Sequence, residues 1–326
     1  MALPDSFGNR LPRTYVFIAP LLAAALISSL AACSNQGKDA NSHAQKTFSS
    51  PQAAGEALFH AAQSGDKEQL IAILGPDSGD VLFSGDPVKD KNVRQDFVDA
   101  YSQMSRWGAQ NSGDQVLYIG ADNFAFPIPL SQKAPGQWVF NTAAGKEEIL
   151  ARRIGDGELT TIGILSEVAR AEQKYFHAKH QYAGKFISDD GQQNGLYWPV
   201  AENQPPSPLG RLAAEAKAFG YSKSDTPQPF NGYYYKILTQ QGDQKGGAKS
   251  YLTNGKLTGG FAVLAWPAKY RDSGIMSFLV GKDGVIYQKD LGLDTTTAAS
   301  AISSYNPANG WTVVLAPDSS NALAEN

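Results

Sequence analysis

One cysteine in 326 residues, Cys33, sets the first constraint on what this chain can fold into. It closes an apolar run from Tyr15 to Leu30, in the sequence Leu30-Ala31-Ala32-Cys33. Everything that follows it has no thiol, so the body has no internal disulfide, no thiolate metal site and no cysteine nucleophile. Its stability has to come from burial. Hydrophobic residues make up 42% of the chain and charged ones 18%, proportions that suit a globular body with a core.

The opening segment has the parts of an export signal: Arg10 and Arg13, then the apolar run, then small residues before a cleavage point. The run is shorter than the roughly 20 residues that a helical span needs, and Pro20 interrupts it. With its final Leu-Ala-Ala-Cys, the segment resembles a bacterial lipoprotein signal. The resemblance implies that residues 1–32 are removed and that Cys33, acylated, becomes the anchoring N-terminus, with palmitate among its chains. Ser34 in place of Asp after the cysteine implies, by the same resemblance, an outer-membrane protein facing the periplasm.

Without residues 1–32, which hold Asp5, Arg10 and Arg13, 26 of the 28 basic and 30 of the 31 acidic side chains remain. No Lys/Arg cluster stands out, so nucleic acid is not an expected partner. Residues 33–46 are polar, small and aperiodic after the cysteine, which predicts a tether. Order is expected from residue 47, in two domains of 47–155 and 156–317, with a tail at 318–326.

In the first domain Ser50-Pro51 marks a helix start and Gly65 its stop; Asp66, with Gln69 three residues on, starts a second. Val93, Phe97, Ala100, Tyr101, Met104 and Trp107 predict a third helix ending near Gly108. Strands follow at 115–120, 124–130 and 137–141, the middle one at an edge because of Pro127 and Pro129. Three helices and a small antiparallel sheet are loosely similar to the nuclear-transport-factor-2-like fold. A short helix over 146–154 is expected to break at Gly155-Asp156-Gly157, the proposed domain boundary.

The second domain begins with the longest helical pattern of the chain, Ile164, Val168, Ala171, Tyr175, Ala178 and Tyr182. A turn-rich stretch, a proline loop at 203–208 and a helix at 209–220 follow. Strands are expected at 232–238, 260–266, 276–280 and 285–289, the last two joined by Lys282-Asp283-Gly284. The fold class is therefore α+β.

The long helix passing through Ala171–Phe176, then Gly-Tyr-Tyr-Tyr at 232–235, Phe-x-Val-x-Ala-x-Pro at 261–267 and the run from Ser277 to Tyr287 resemble the headpiece of type IV pilin-like proteins. That resemblance implies a long helix packed on an antiparallel sheet. The helix lacks the apolar N-terminal half and prepilin cleavage site of a filament subunit, so it implies the headpiece fold without the filament. The mature chain as a whole, including residues 141–149 and 289–292, resembles a bacterial lipoprotein family of uncharacterised function, domain of unknown function 2950.

Candidate chemistry is sparse. His177 and His180 lie three residues apart, with Glu172 before and Asp189 and Asp190 after, giving weak metal-ligand candidates against the alternative of a solvated helix face. No cofactor is expected: phosphate-loop and dinucleotide fingerprints and a serine elbow are all missing. The rings of Tyr197, Trp198, Tyr233, Tyr234 and Tyr235 are the candidate binding surface, because stacking suits a glycan or peptide; the alternative is that alternate rings of a strand face the core. The expected role is a non-catalytic binding or assembly module in the envelope. Its partners would be the membrane, through Cys33, and another envelope protein or peptidoglycan. An envelope hydrolase working through paired carboxylates is the alternative.

Overall fold

The computed structural model describes residues 44–201, 203–224, 226–243 and 247–314. Cys33, the signal and the tail lie outside the described residues. Gln45 and Lys46, expected in the tether, belong to the body. The Gln45 carboxamide donates to the carbonyls of Phe140 and Ile73, and the Lys46 amide to Ala72.

Local signals shape the first part. Ser50 caps α1 (Pro51–Ser64) by accepting from the Ala53 amide, and Gly65, in the left-handed region, closes it. Asp66 caps α2 (Lys67–Leu74) and receives both the backbone and the side-chain N–H of Gln69. A single turn, α3 (Gly79–Leu82), precedes α4 (Pro87–Gln103), capped by Asp86. The third helix therefore ends earlier than its periodicity predicts. Met104 is extended, and Trp107 lies in strand β1 (Ser105–Ala109), paired with β2 (Gln115–Ile119). Gly108 makes room there for the Tyr118 ring, which a Cβ would meet at 2.9 Å.

The two prolines split the next expected strand into β3 (Phe124–Ala125) and β4 (Leu130–Ala134), and β5 (Gln137–Phe140) follows. The sheet is antiparallel in the order β1-β2-β4-β5, with β3 on the side of β2. A first core forms from Phe48, Leu58, Leu70, Ile73, Ile128, Leu130 and Phe140.

The expected helix break does not occur. One helix, α5 (Thr142–Lys179), runs 38 residues through Gly155-Asp156-Gly157, about 57 Å at 1.5 Å per residue. Its buried glycines are contact points: a Cβ on Gly145 would lie 2.5 Å from the Pro127 carbonyl oxygen, and one on Gly157 2.5 Å from that of Ser273. These residues allow close approach and do not interrupt the helix.

After α5 an irregular segment leads to α6 (Gly210–Ala218) and β6 (Tyr233–Leu238). Two short ladders follow, β7 (Gln240–Gln241) with β8 (Lys249–Ser250), and β9 (Leu252–Thr253) with β10 (Lys256–Leu257). Then come β11 (Ala262–Pro267), β12 (Met276–Gly281), β13 (Ile286–Asp290), a short helix α7 (Thr295–Ala301) that periodicity does not announce, and β14 (Thr312–Val313).

Strands β6-β11-β12-β13-β14 form an antiparallel meander. Its α5 face receives Tyr233 and Tyr235, while Lys236, one residue out of phase, donates to the Ser300 and Ile302 carbonyls at the end of α7. The second core lies under α5, with Leu165, Val168, Tyr233, Phe261, Val263 and Phe278. The chain is α+β, with a long helix leading into an antiparallel sheet.

Candidate functional site

The five aromatic candidates do not share one surface. Tyr233 is fully buried, its hydroxyl donating to the Met276 carbonyl, and the Tyr235 hydroxyl meets Thr161 on α5. Tyr234 points to the other face of the sheet, where its ring lies 5.7 Å from that of Trp266. Tyr197 and Trp198 are half-buried in the segment after α5.

The His candidates are also separated by local geometry. His177 is exposed on α5, whereas His180 leaves the helix in the left-handed region, at φ 56°. Asp189 pairs with Lys185, and Asp190 with Lys223. Among the described residues, no group of three or more His, Cys, Asp or Glu is placed to hold a metal ion.

What the fold does bring together is a charge network where the two cores meet. The Asp80 carboxylate, on α3, lies 2.7 Å from the Lys146 ammonium and 2.9 Å from that of Lys269. Hydrogen bonds from both lysines hold the Asp80 pKa down to about 2. The buried Asp272 receives Arg153 of α5 and has Lys269 at 2.6 Å. Arg153 also donates to the carbonyls of Asp80 and Val81. Burial works against the Lys269 ammonium, yet its hydrogen bonds to Asp272 and Asp80 leave its pKa above the usual lysine value.

A second tie uses Asp86, which is buried and accepts from the Val88, Lys89 and Gly232 amides and from the Tyr221 hydroxyl at 2.7 Å. Burial, followed by that bond to Asp86, drives the Tyr221 phenol far above its ordinary pKa. A third is Glu158 on α5, which accepts from the Ile275 and Met276 amides. These carboxylates are occupied in joining helices to the β-sheet region.

Beside this network is a shallow cleft of about 360 Å³ at the start of α5, lined by Gln45, Asp77, Lys133, Asn141 and Lys146. Gly75, at φ 99°, forms part of its wall against the Gln45 side chain. The cleft presents Lys133, Lys146, the Asp77 carboxylate and the amides of Gln45 and Asn141 together with the apolar Leu74, Pro76, Val139 and Phe140.

Glu172 stands apart. It is fully buried in the second core; one oxygen accepts from the Ala183 amide at 2.8 Å, and the other has no hydrogen-bond partner among the described residues. Burial raises its pKa to about 8, opposed only by the Ala183 bond, so the carboxyl is protonated at neutral pH.

Fold and site together define an α+β protein in which Asp86, Glu158 and Asp272 tie helices to the β-sheet region. The chain matches a family described as a protein of unknown function, DUF2950, over residues 45–314, and it belongs to that family. No curated protein and no solved structure matches it.

Proposed function

We propose that this is a lipid-anchored protein of the cell envelope, acting as a non-catalytic binding or assembly module on the periplasmic side of the outer membrane. The observation that carries the reading is the Leu30-Ala31-Ala32-Cys33 box after a basic and then an apolar segment, with that cysteine alone in the chain. Two or three acyl chains, at about 0.8 kcal/mol per buried methylene, anchor firmly where one chain binds marginally. Among the described residues no helix is long and apolar enough to cross a membrane; in this reading the acyl chains on Cys33 supply the membrane link.

The body adds support of a different kind. Asp86, Glu158 and Asp272 are taken up by backbone amides and cations. The cleft includes Gln45, which follows Cys33 by twelve residues in the chain. The binding surface in this reading is the cleft, and the partner is an envelope protein or a peptidoglycan fragment. Labelled palmitate tests the anchor: Cys33→Ala is expected to lose label and membrane retention while keeping the parent's circular dichroism. Label retained by that variant would refute lipidation at this residue. Amine crosslinking in intact cells tests the binding role, which fails if no envelope component is recovered reproducibly at Lys133.

A further inference from the structure

Two glycines of α5 have no explanation in contacts among the described residues. Gly145 and Gly157 are required by carbonyls pressed against them, but a Cβ on Gly155 or Gly163 would meet nothing within 4 Å. Glycine weakens a helix interior, so its presence at two open positions asks for another reason. Between them, four residues from each, stands Leu159, 68% exposed on the solvent side of the helix.

Two further exposed apolar side chains belong to helices tied to this region. The Lys89–Asp156 ion pair ties α4 to α5 at 2.9 Å, and Val93, one turn along from Lys89, is 58% exposed. Asn92 donates to the carbonyl of Phe219, itself 57% exposed at the end of α6. Exposed apolar residues grouped in this way mark an interaction surface more often than scattered ones do.

The order of residues along α5 indicates the occupant. Glu148, paired with Arg152 at 2.6 Å, and Arg170, paired with Glu167, are both exposed and lie eleven residues before and after Leu159. At 100° per residue all of these positions fall within about 40° of one line along the helix. Reversing α5 about Leu159 places Gly155 opposite Gly163 and Glu148 opposite Arg170. A parallel alignment would oppose Glu148 to Glu148 and Arg170 to Arg170, which is repulsive. The stripe is thus complementary to itself in the antiparallel sense, the condition for an isologous two-fold contact. The open glycines let two backbones come near the lower end of the usual 8–10 Å separation.

We propose that this chain pairs with a second copy of itself through antiparallel α5 helices, about a two-fold axis at Leu159 flanked by Val93 and Phe219. The pairing belongs to the body and does not depend on lipidation at Cys33. One helix face is at the small end of specific interfaces, so a covalent trap is the appropriate measurement.

Leu159→Cys in the full chain is expected to give a disulfide-linked dimer on a non-reducing gel under mild oxidant. The parent chain reveals any background from Cys33, and Leu293→Cys, at the most exposed large apolar position among the described residues, should give none above it. Adding Glu148→Arg to the Leu159→Cys chain is expected to weaken pairing about tenfold, and adding Arg170→Glu as well to restore it. No dimer from Leu159→Cys, equal trapping by Leu293→Cys, a crosslink to a protein of different mass, or no rescue by the charge exchange would each overturn the proposal.

Discussion

The two halves of α5 treat buried charge in opposite ways. In the first half Arg153 and Glu158 meet several partners from distant segments: Arg153 reaches Asp272 and two α3 carbonyls, and Glu158 takes two amides. In the second half Glu172 is carried into the core with one amide for company. A satisfied charge fastens two parts of a fold, whereas a poorly satisfied carboxyl keeps its proton and makes stability depend on pH. The same helix therefore contains a fastening and a liability.

Removing the fastening should have the largest effect. Arg153→Ala leaves Asp272 buried with Lys269 alone and frees the α3 carbonyls, and the expected loss is about 3–5 kcal/mol in urea unfolding. A loss below about 1 kcal/mol would mean that the network does not hold the two cores together.

Glu172 tests the other half of the comparison. Its folded pKa of about 8 exceeds the ordinary 4.5, so the folded state keeps a proton that the unfolded chain releases in between. Stability from this group is complete below pH 4.5, falls as pH rises toward about 8 and is level beyond. Over pH 4.5 to 7 the fall is about 3 kcal/mol, at 1.36 kcal/mol per unit. Glu172→Gln should lack this slope, widening its advantage over the parent by that amount in unfolding curves taken across the range. Asp80 has the opposite sign. Its pKa is depressed, so its contribution is present above 3.8 and disappears as pH falls through about 2. Parallel slopes in the parent and the Glu172→Gln variant would remove Glu172 as the cause.

The smallest expected effect separates the glycines of α5. Gly157→Ala drives a methyl against the Ser273 carbonyl and should cost about 1–3 kcal/mol. Gly155→Ala, with open space around it, should raise the melting temperature of the monomer through helix propensity. Equal shifts in one direction would contradict the close contact at Gly157.

Elements governed by neighbours in sequence were legible without the structure. Ser50-Pro51, Asp66 with Gln69, and Asp283-Gly284 set their caps and turn through bonds spanning only a few residues. The buried stripe Ile164, Val168, Ala171 and Tyr175 was readable for the same reason. What stayed hidden depends on distant partners. Gly157 reads as a breaker until the Ser273 carbonyl is beside it, and Trp107 reads as helical until β2 pairs with its strand. Asp80 and Lys269 are 189 residues apart, so no local pattern announces their pairing. The tyrosines of β6 illustrate the same limit: alternation divides them between two faces, and only the tertiary packing shows that Tyr233 and Tyr235 turn inward.

The uninterrupted α5 also has a consequence for how the molecule comes apart. Gly145 is seated against the first core, and Leu165 belongs to the second, on one rod of continuous hydrogen bonds. Neither core can melt without fraying the helix that completes the other. Cutting after Gly155 would strip the carbonyls of Arg152, Arg153, Ile154 and Gly155 of their helical amide donors and divide the rod into pieces of 14 and 24 residues. The body from Gln45 to Val314 should therefore unfold as one cooperative unit, its calorimetric and van't Hoff enthalpies agreeing, despite having two interiors.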